Sequence, residues 1–279
     1  MIAPVAYSAA FLSSVCFGLA SVLEQIGTKR VKTLDSINPA DFLPLLKQTP
    51  YTAGLALDGI GFITFLVAVH ALPLFFVQAV GTASIAVTAL ASRYTMKVRL
   101  TFKEYRLMAI LLGGLVLLSY VAAPETAAPV SIGFRYGLIG AAAIMIMVSL
   151  AVSRRAKQRP HFIAMLSGLS FSGVAVASRI LPANLHLLTQ SANPLVIAAL
   201  VIYGGLGLLL FSMAIQNGEV THVYAITFVT ETVIPATIGI WFLGDSPRDG
   251  LWLVMLVGLI VTVASTSALA LSKDYSGHA

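Results

Sequence analysis

The sequence carries little charge for its length. Of 279 residues, 17 are basic and 11 are acidic, so charged residues make up 10% of the chain and hydrophobic residues 58%. Soluble domains have about a quarter charged residues, and this chain has too few polar side chains to cover a globule. The composition excludes a soluble enzyme, a disordered chain and a nucleic-acid-binding module.

Cysteine is almost absent too. Cys16 is the only cysteine in the sequence, so no disulfide can form within the chain and a disulfide-rich scaffold is excluded. Residues 1–11 lack the basic start of a cleavable signal peptide, and their apolar run continues as a full span.

Long apolar runs dominate what is present. A membrane-spanning helix needs about 20 apolar residues, whereas the strands of a membrane barrel show alternating segments of about 10. The runs here fit helices, and the sequence predicts an all-α polytopic membrane protein with about nine spans. The predicted spans are residues 4–26, 51–71, 74–92, 105–122, 132–152, 161–181, 195–215, 220–243 and 250–272.

The basic residues predict the orientation. Fourteen of the 17 fall in the loops after the first, third and fifth spans or in the C-terminal tail, and only Arg135, Arg179 and Arg248 fall on the other side. The positive-inside rule then places the N-terminus outside and the C-terminus in the cytoplasm. The short loops favour a prokaryotic cytoplasmic membrane. Segment 35–48 is too short to span and has an apolar face, which favours an interfacial helix or turn and leaves a re-entrant segment open.

Two stretches of the chain resemble each other. Residues 68–87 and 214–233 align without gaps, and residues 12–18 (LSSVCFG) are similar to 166–172 (LSGLSFS). The matched spans cross the membrane in opposite directions in the predicted topology. We therefore divide the chain into a first repeat, 1–124 (four spans and segment 35–48), and a second repeat, 125–279 (five spans). Inverted repeats are typical of alternating-access transporters, with a site near the midplane between the copies.

A family resemblance follows from the same stretches. Residues 226–245 (ITFVTETVIPATIGIWFLGD) combine a mid-span proline with a closing Gly-acid pair, and a glycine-bearing span with Gly258 follows. This pattern resembles the drug/metabolite transporter superfamily with its EamA-type repeats. Residues 53–101 look closest to the NIPA-type magnesium-transporter branch. The chain departs from the superfamily in having Gly244-Asp245 for Gly-Glu, Val98-Arg99 at the equivalent place, and four helices in the first copy.

The resemblance and the repeat together predict a secondary transporter, without a cofactor, for a small polar solute or a cation. The alternatives are a NIPA-like carrier of magnesium or another divalent cation, and a flippase for a lipid-linked substrate. A non-transporting scaffold or sensor is the alternative from another class. An enzyme is not expected, because HExxH and GxSxG are absent. The expected partners are the bilayer and the solute, and a homodimer is left open.

Glu231 is the leading candidate site residue because it lies near the centre of the eighth span. A charge there costs about 2.5–3.5 kcal/mol on insertion scales. Tyr224, Thr227 and Pro235 share its helix face by spacing. Since Pro235 has no N–H, it frees a carbonyl around Ile234–Glu231. Carboxylate, hydroxyl and carbonyl oxygens together predict a cation or proton site; the alternative is a protonated Glu231 that only joins two helices.

The remaining candidates lie on other spans. Asp58, among glycines of the second span, is either a site acid or a vestibule acid, and with Glu231 it would hold a divalent cation. Gln78 and Thr82 share one face of the third span and are predicted to form the opposite wall. Arg179 either reaches the lipid headgroups or acts as counter-ion to a buried acid or an anionic substrate.

The predicted topology can be tested in intact cells. In a Cys16→Ser background, single cysteines at positions 126 and 247 should react with an impermeant thiol reagent from outside, and cysteines at 98 and 156 should not. Labelling of position 98 from outside would contradict both the orientation and the inverted repeat.

Overall fold

The chain folds as a bundle of membrane-spanning helices. The computed structural model describes residues 2–28, 46–95, 97, 100–125, 128–153, 159–182, 193–217 and 220–272. Within these ranges the only β-structure is an isolated bridge between Ala122 and Pro247. The helices are α1 (Ile2–Thr28), α2 (Thr49–Ala71), α3 (Leu74–Thr82), α4 (Ser84–Thr95), α5 (Phe102–Val121), α6 (Ile132–Ser153), α7 (Pro160–Ile180), α8 (Asn193–Asn217), α9 (Val220–Phe242) and α10 (Trp252–Leu271).

Nine spans are long and apolar enough to cross a bilayer in the described ranges, because α3 and α4 together form one span, Leu74–Thr95. This confirms the predicted all-α polytopic membrane protein. Each predicted span overlaps one of these helices. Most of segment 35–48 lies outside the described residues, as do several of the basic loop residues.

Local sequence explains where helices begin and end. Pro73 forces the preceding Leu72 into extended backbone (φ −127°, ψ 148°), so α2 ends at Ala71 and α3 begins directly after the proline. At the opposite end of the bundle, Thr101 and Glu104 form a capping box that starts α5. The third span is interrupted at Ala83, whose N–H turns back to the Val80 carbonyl at 3.1 Å.

Equivalent contacts occur in the two halves of the chain. α1 packs most extensively on α2, and α7 packs most extensively on α8. A Cβ on Gly61 would lie 2.9 Å from the Phe17 ring, and a Cβ on Gly207 would lie 2.9 Å from the Phe171 ring. The match of 12–18 with 166–172 pairs Phe17 with Phe171, and the match of 68–87 with 214–233, continued seven residues toward the N-terminus, pairs Gly61 with Gly207. These contacts therefore support the predicted repeat.

The two halves meet through their later helices. α3 packs against α9, and α5 packs against α10. α5 and α10 cross at glycines, because a Cβ on Gly114 would lie 2.5 Å from Thr262 Oγ1 and 3.2 Å from the Gly258 carbonyl oxygen. α6 has no counterpart in the first repeat and lies at the periphery with most of its residues exposed.

We use "outer end" for the end of the bundle that is predicted to face outside. It is formed by the Leu72–Pro73 corner and by residues 122–125, 128–131 and 243–251, which are joined by backbone hydrogen bonds such as Ala128 N to Leu243 O at 2.8 Å. Exposed aromatic side chains ring this end, as expected where a protein leaves the hydrocarbon for the headgroups. They are Tyr120, Tyr136, Trp241, Phe242 and Trp252.

The glycine crossing between α5 and α10 gives a stability prediction. Gly114→Val should destabilise the protein by about 1–3 kcal/mol, because the added side chain forces Thr262 away from its present position. Cys16 is buried and unpaired, so a thiol-reactive dye that fluoresces when unfolding exposes Cys16 reports the thermal unfolding midpoint.

Gly113→Ala is the matched control, because a Cβ on Gly113 would meet nothing within 4 Å. The control should leave the midpoint unchanged or raise it slightly. Equal midpoints for Gly114→Val and Gly113→Ala would contradict the close crossing of α5 and α10.

Candidate functional site

The centre of the site is a backbone carbonyl that has lost its helical partner. Pro235 lies inside α9, and a proline cannot donate a hydrogen bond to the carbonyl four residues before it. That carbonyl belongs to Glu231. Gln78 Nε2, from α3 in the other half, donates to it at 2.7 Å. The freed carbonyl predicted from the sequence thus has a partner, and the partner is one of the predicted wall residues.

The Glu231 side chain remains available. It lies about 16 Å along α9 from Phe242, the end of the helix, and it is half-buried. Its carboxylate makes no hydrogen bond or ion pair with any residue that the structure describes. A carboxylate at this depth without a protein partner is suited to a proton, a cation or a polar solute.

Two predicted neighbours of Glu231 on α9 make other contacts. The Thr227 hydroxyl donates to the Ala164 carbonyl of α7 at 3.2 Å. The Tyr224 ring packs edge-on against Phe211, with 5.0 Å between ring centroids. The structure therefore places the Thr227 hydroxyl toward α7 and leaves the Glu231 carboxylate without it.

Thr82 lies in a narrow crevice between α3, α9 and α10 that is too tight to admit a water molecule. Its hydroxyl donates to the Ala79 carbonyl of its own helix at 2.9 Å. On the facing helix, the buried Thr266 hydroxyl has no hydrogen-bond partner in the described part of the chain. The crevice is lined by Thr82, Phe228, Val229, Thr232, Val263, Thr266 and Ser267.

The Asp58 carboxyl lies beside the Glu24 carboxyl of α1, close enough for the two acids to interact. Two carboxyl groups can share a hydrogen bond only when one of them carries a proton. Gly54 makes the contact between α1 and α2 here, because a Cβ on Gly54 would lie 2.6 Å from Glu24 Cγ. The Glu24 and Asp58 side chains are half-buried, and Tyr224 lies close enough to Glu24 to interact with its charge.

Arg179 lies at the outer end and pairs with an acid. Its Nη2 donates to Asp245 Oδ1 at 2.6 Å, and both side chains are completely shielded from solvent. Arg179 Nη1 donates to the Val69 carbonyl, and the Leu74 N–H donates to Asp245 Oδ2 at 2.6 Å. The pair therefore joins α7 to the ends of α2 and α3, across the boundary between the two halves.

Burial and the neighbouring groups have opposing effects on the pKa of the Asp245 carboxyl. Burial raises the pKa of the Asp245 carboxyl above its ordinary value, and the nearby charge of Glu125 adds to that rise. Arg179 and the Leu74 N–H lower the pKa of the same carboxyl because they stabilise its charged form. The ionised carboxylate thus depends on partners from two other elements.

Asp245 and Glu24 are the residues that the sequence does not single out as site residues. In the sequence Asp245 is only the acid of a closing Gly-acid pair, and Glu24 lies near the predicted cytoplasmic end of the first span. The sequence feature that could have indicated an acid such as Asp245 is Arg179 in an apolar span, because a buried arginine is costly unless an acid pairs with it. In the described part of the chain, no three His, Cys, Asp or Glu side chains come together as a metal site.

Comparison with known proteins adds no family assignment, because no family model, curated protein or solved structure matches the chain.

The Gln78 contact gives a prediction about stability. Gln78→Ala should cost about 1–3 kcal/mol, because it leaves the Glu231 carbonyl buried without a partner. Pro235→Ala restores the missing N–H, so Gln78→Ala should cost clearly less in a Pro235→Ala background. The dye reaction at Cys16 again reports unfolding, and the four variants form a double-mutant cycle.

Thr88→Val is the control for loss of a side-chain hydrogen bond. The Thr88 hydroxyl donates to the Gly18 carbonyl at 3.0 Å, and that contact lies within one half of the chain. Its loss should not depend on Pro235. Additive effects of Gln78→Ala and Pro235→Ala would show that Gln78 does not satisfy the carbonyl freed by the proline.

Proposed function

We propose that the protein is a secondary transporter that moves a small polar solute or a cation by alternating access. The observation that carries this proposal is the half-buried Glu231 carboxylate, which makes no hydrogen bond or ion pair with any described residue. An acid that only joins helices would be expected to bond to a neighbouring helix. An acid that binds and releases a ligand is free in the absence of that ligand.

The position of Glu231 fits this role. Its carbonyl contacts Gln78 of the other half, so the acid lies where the two halves meet. Transporters with inverted repeats bind their substrates at such a boundary, near the midplane and beside an interrupted helix. Here the proline of α9 and the interruption at Ala83 lie in the two spans that meet at this place.

The Glu24–Asp58 pair favours a cation or a proton among the transported species. Two carboxyl groups that share one proton can exchange that proton for a cation. This observation supports the magnesium or divalent-cation alternative as the second candidate function. We assign the pair to the path between Glu231 and the predicted cytoplasmic end, because Tyr224 lies near Glu24 and two helical turns from Glu231.

Proteoliposomes test the proposal. Purified protein should first be screened for uptake of magnesium and other divalent cations, amino acids and polyprenyl-linked sugars, with and without a pH gradient. For the solute that accumulates, Glu231→Gln should reduce uptake to the protein-free background and remove its pH dependence, because the amide keeps the shape of the side chain but cannot ionise. Glu231→Asp should retain transport with an apparent affinity about tenfold weaker, because one charge-assisted contact is lengthened.

Two variants separate site effects from packing effects. Thr227→Ala should weaken transport mildly through its contact with α7, and Leu253→Ala should change nothing, because Leu253 is 73% exposed on α10. Each variant must keep the unfolding midpoint of the parent. Full transport by Glu231→Gln with an unchanged pH profile would show that the acid is structural, and absence of uptake for every solute would argue for a scaffold or sensor.

A further inference from the structure

The contacts between the two halves are concentrated at the outer end. Arg179 reaches the Val69 carbonyl, Asp245 holds the Leu74 N–H, and His70 Nε2 contacts the Leu181 carbonyl at 2.7 Å. Backbone hydrogen bonds also join the halves at this end: Glu125 N donates to Ala71 O at 2.8 Å, and Arg248 N donates to Val121 O at 3.0 Å. Gln78 adds a central hydrogen bond between the halves.

We infer that the Arg179–Asp245 pair is the outer gate of the carrier, and that the structure shows this gate closed above the Glu231 site. This inference rests on the proposed function and adds the device that controls access to its site from one side. The pair and its partners come from α7, from the α9–α10 loop and from the two helix ends at the Leu72–Pro73 corner. Separation of the halves at this end requires all of these contacts to break.

The corner explains why this gate can open at moderate cost. Pro73 has no N–H, so the Val69 carbonyl lacks a helical donor, and the Leu74 N–H is one of the unpaired donors at the start of α3. In the closed state Arg179 and Asp245 satisfy these two groups. When the outer end opens, water can satisfy the same groups and both charges, so neither state leaves them unpaired.

The pair is also incompletely satisfied in the closed state. Arg179 Nε is buried and has no hydrogen-bond partner among the residues that the structure describes. A buried guanidinium with an unpaired N–H stabilises the closed state less than a fully bonded one would. This imperfection favours a contact that breaks and forms again over a permanent structural clamp.

The gate is connected to the site through α3. Asp245 binds the first N–H of this helix, and Gln78 lies one turn further along the same helix, where it holds the Glu231 carbonyl. Loss of the Asp245 contact releases the start of α3, and with it the helix that carries Gln78. Opening at the outer end therefore changes the wall of the central site.

Side-specific labelling tests the gate without any solute. Val176 is 2% exposed and lies one turn below Arg179 on α7, so a cysteine there is hidden while the gate is closed. In Cys16→Ser/Val176→Cys, Asp245→Asn and Arg179→Gln should raise the rate of reaction with an impermeant maleimide by roughly tenfold or more, applied from the outer end. Sealed right-side-out and inside-out vesicles distinguish the two ends.

Two further variants make the result specific. Asp249→Asn is the matched control, because Asp249 lies at the same end but is exposed and makes no hydrogen bond or ion pair with the described residues; it should leave the rate within twofold of the parent. Arg179→Lys keeps the charge and should give a smaller rise than Arg179→Gln. If Arg179→Gln is not monodisperse, Asp245→Asn serves alone, because its amide oxygen still accepts from Leu74.

The labelling rates distinguish a gate from a structural clamp and from a loosened bundle. Faster labelling from the outer end only, in the two pair variants and not in Asp249→Asn, supports the gate even if no transported solute is found. Unchanged labelling in both pair variants overturns it and leaves the pair as a structural contact. Equal acceleration from both ends, or in Asp249→Asn, also overturns it, because it indicates general loosening of the bundle. Loss of transport in Glu231→Gln is a separate readout of the central site.

Discussion

Two prolines determine how the halves of this protein are joined. Each removes the N–H that would have bonded to the carbonyl four residues earlier, at Val69 for Pro73 and at Glu231 for Pro235. A carbonyl without a partner is costly where no water is present. In both cases a side chain of the other half supplies the donor, Arg179 at the outer end and Gln78 at the centre. At both places, a carbonyl that a proline leaves without a helical donor is thus bonded by the other half of the chain.

The two acids Asp245 and Glu231 differ in how completely they are satisfied. Asp245 has an arginine and a helix N-terminus as partners and is fully enclosed. Glu231 has no partner for its carboxylate among the described residues and is only half-buried. This difference agrees with the roles that we propose, in which Asp245 stabilises a conformation and Glu231 binds a ligand. A buried charge that is already paired has little capacity left to bind a further ion.

The sequence predicted the spans well because the length of an apolar run is a local property. It also predicted the carbonyl freed by Pro235, since that follows from the chemistry of one residue. The partners could not be predicted, because Gln78 and Glu231 are 153 residues apart and Arg179 and Asp245 are 66 residues apart. The interruption of the third span at Ala83 has no proline from which it could have been predicted. Asp245 follows the end of a span, where an acid is usually solvated, and only the folded chain shows that it is enclosed.

Alternating access requires that both end states have similar free energies, so contacts that close one end must be replaceable when that end opens. Apolar packing alone does not meet this requirement well, because exposed apolar surface has no substitute partner in water. The polar groups at the Pro73 corner do meet it, because water replaces protein donors and acceptors at nearly equal cost. The outer end combines such groups with buried apolar side chains, among them Leu72, Leu74 and Leu243 at 0% exposure. In the proposed alternating access, the polar groups exchange their protein partners for water when this end opens, and the apolar contacts there set the cost of opening.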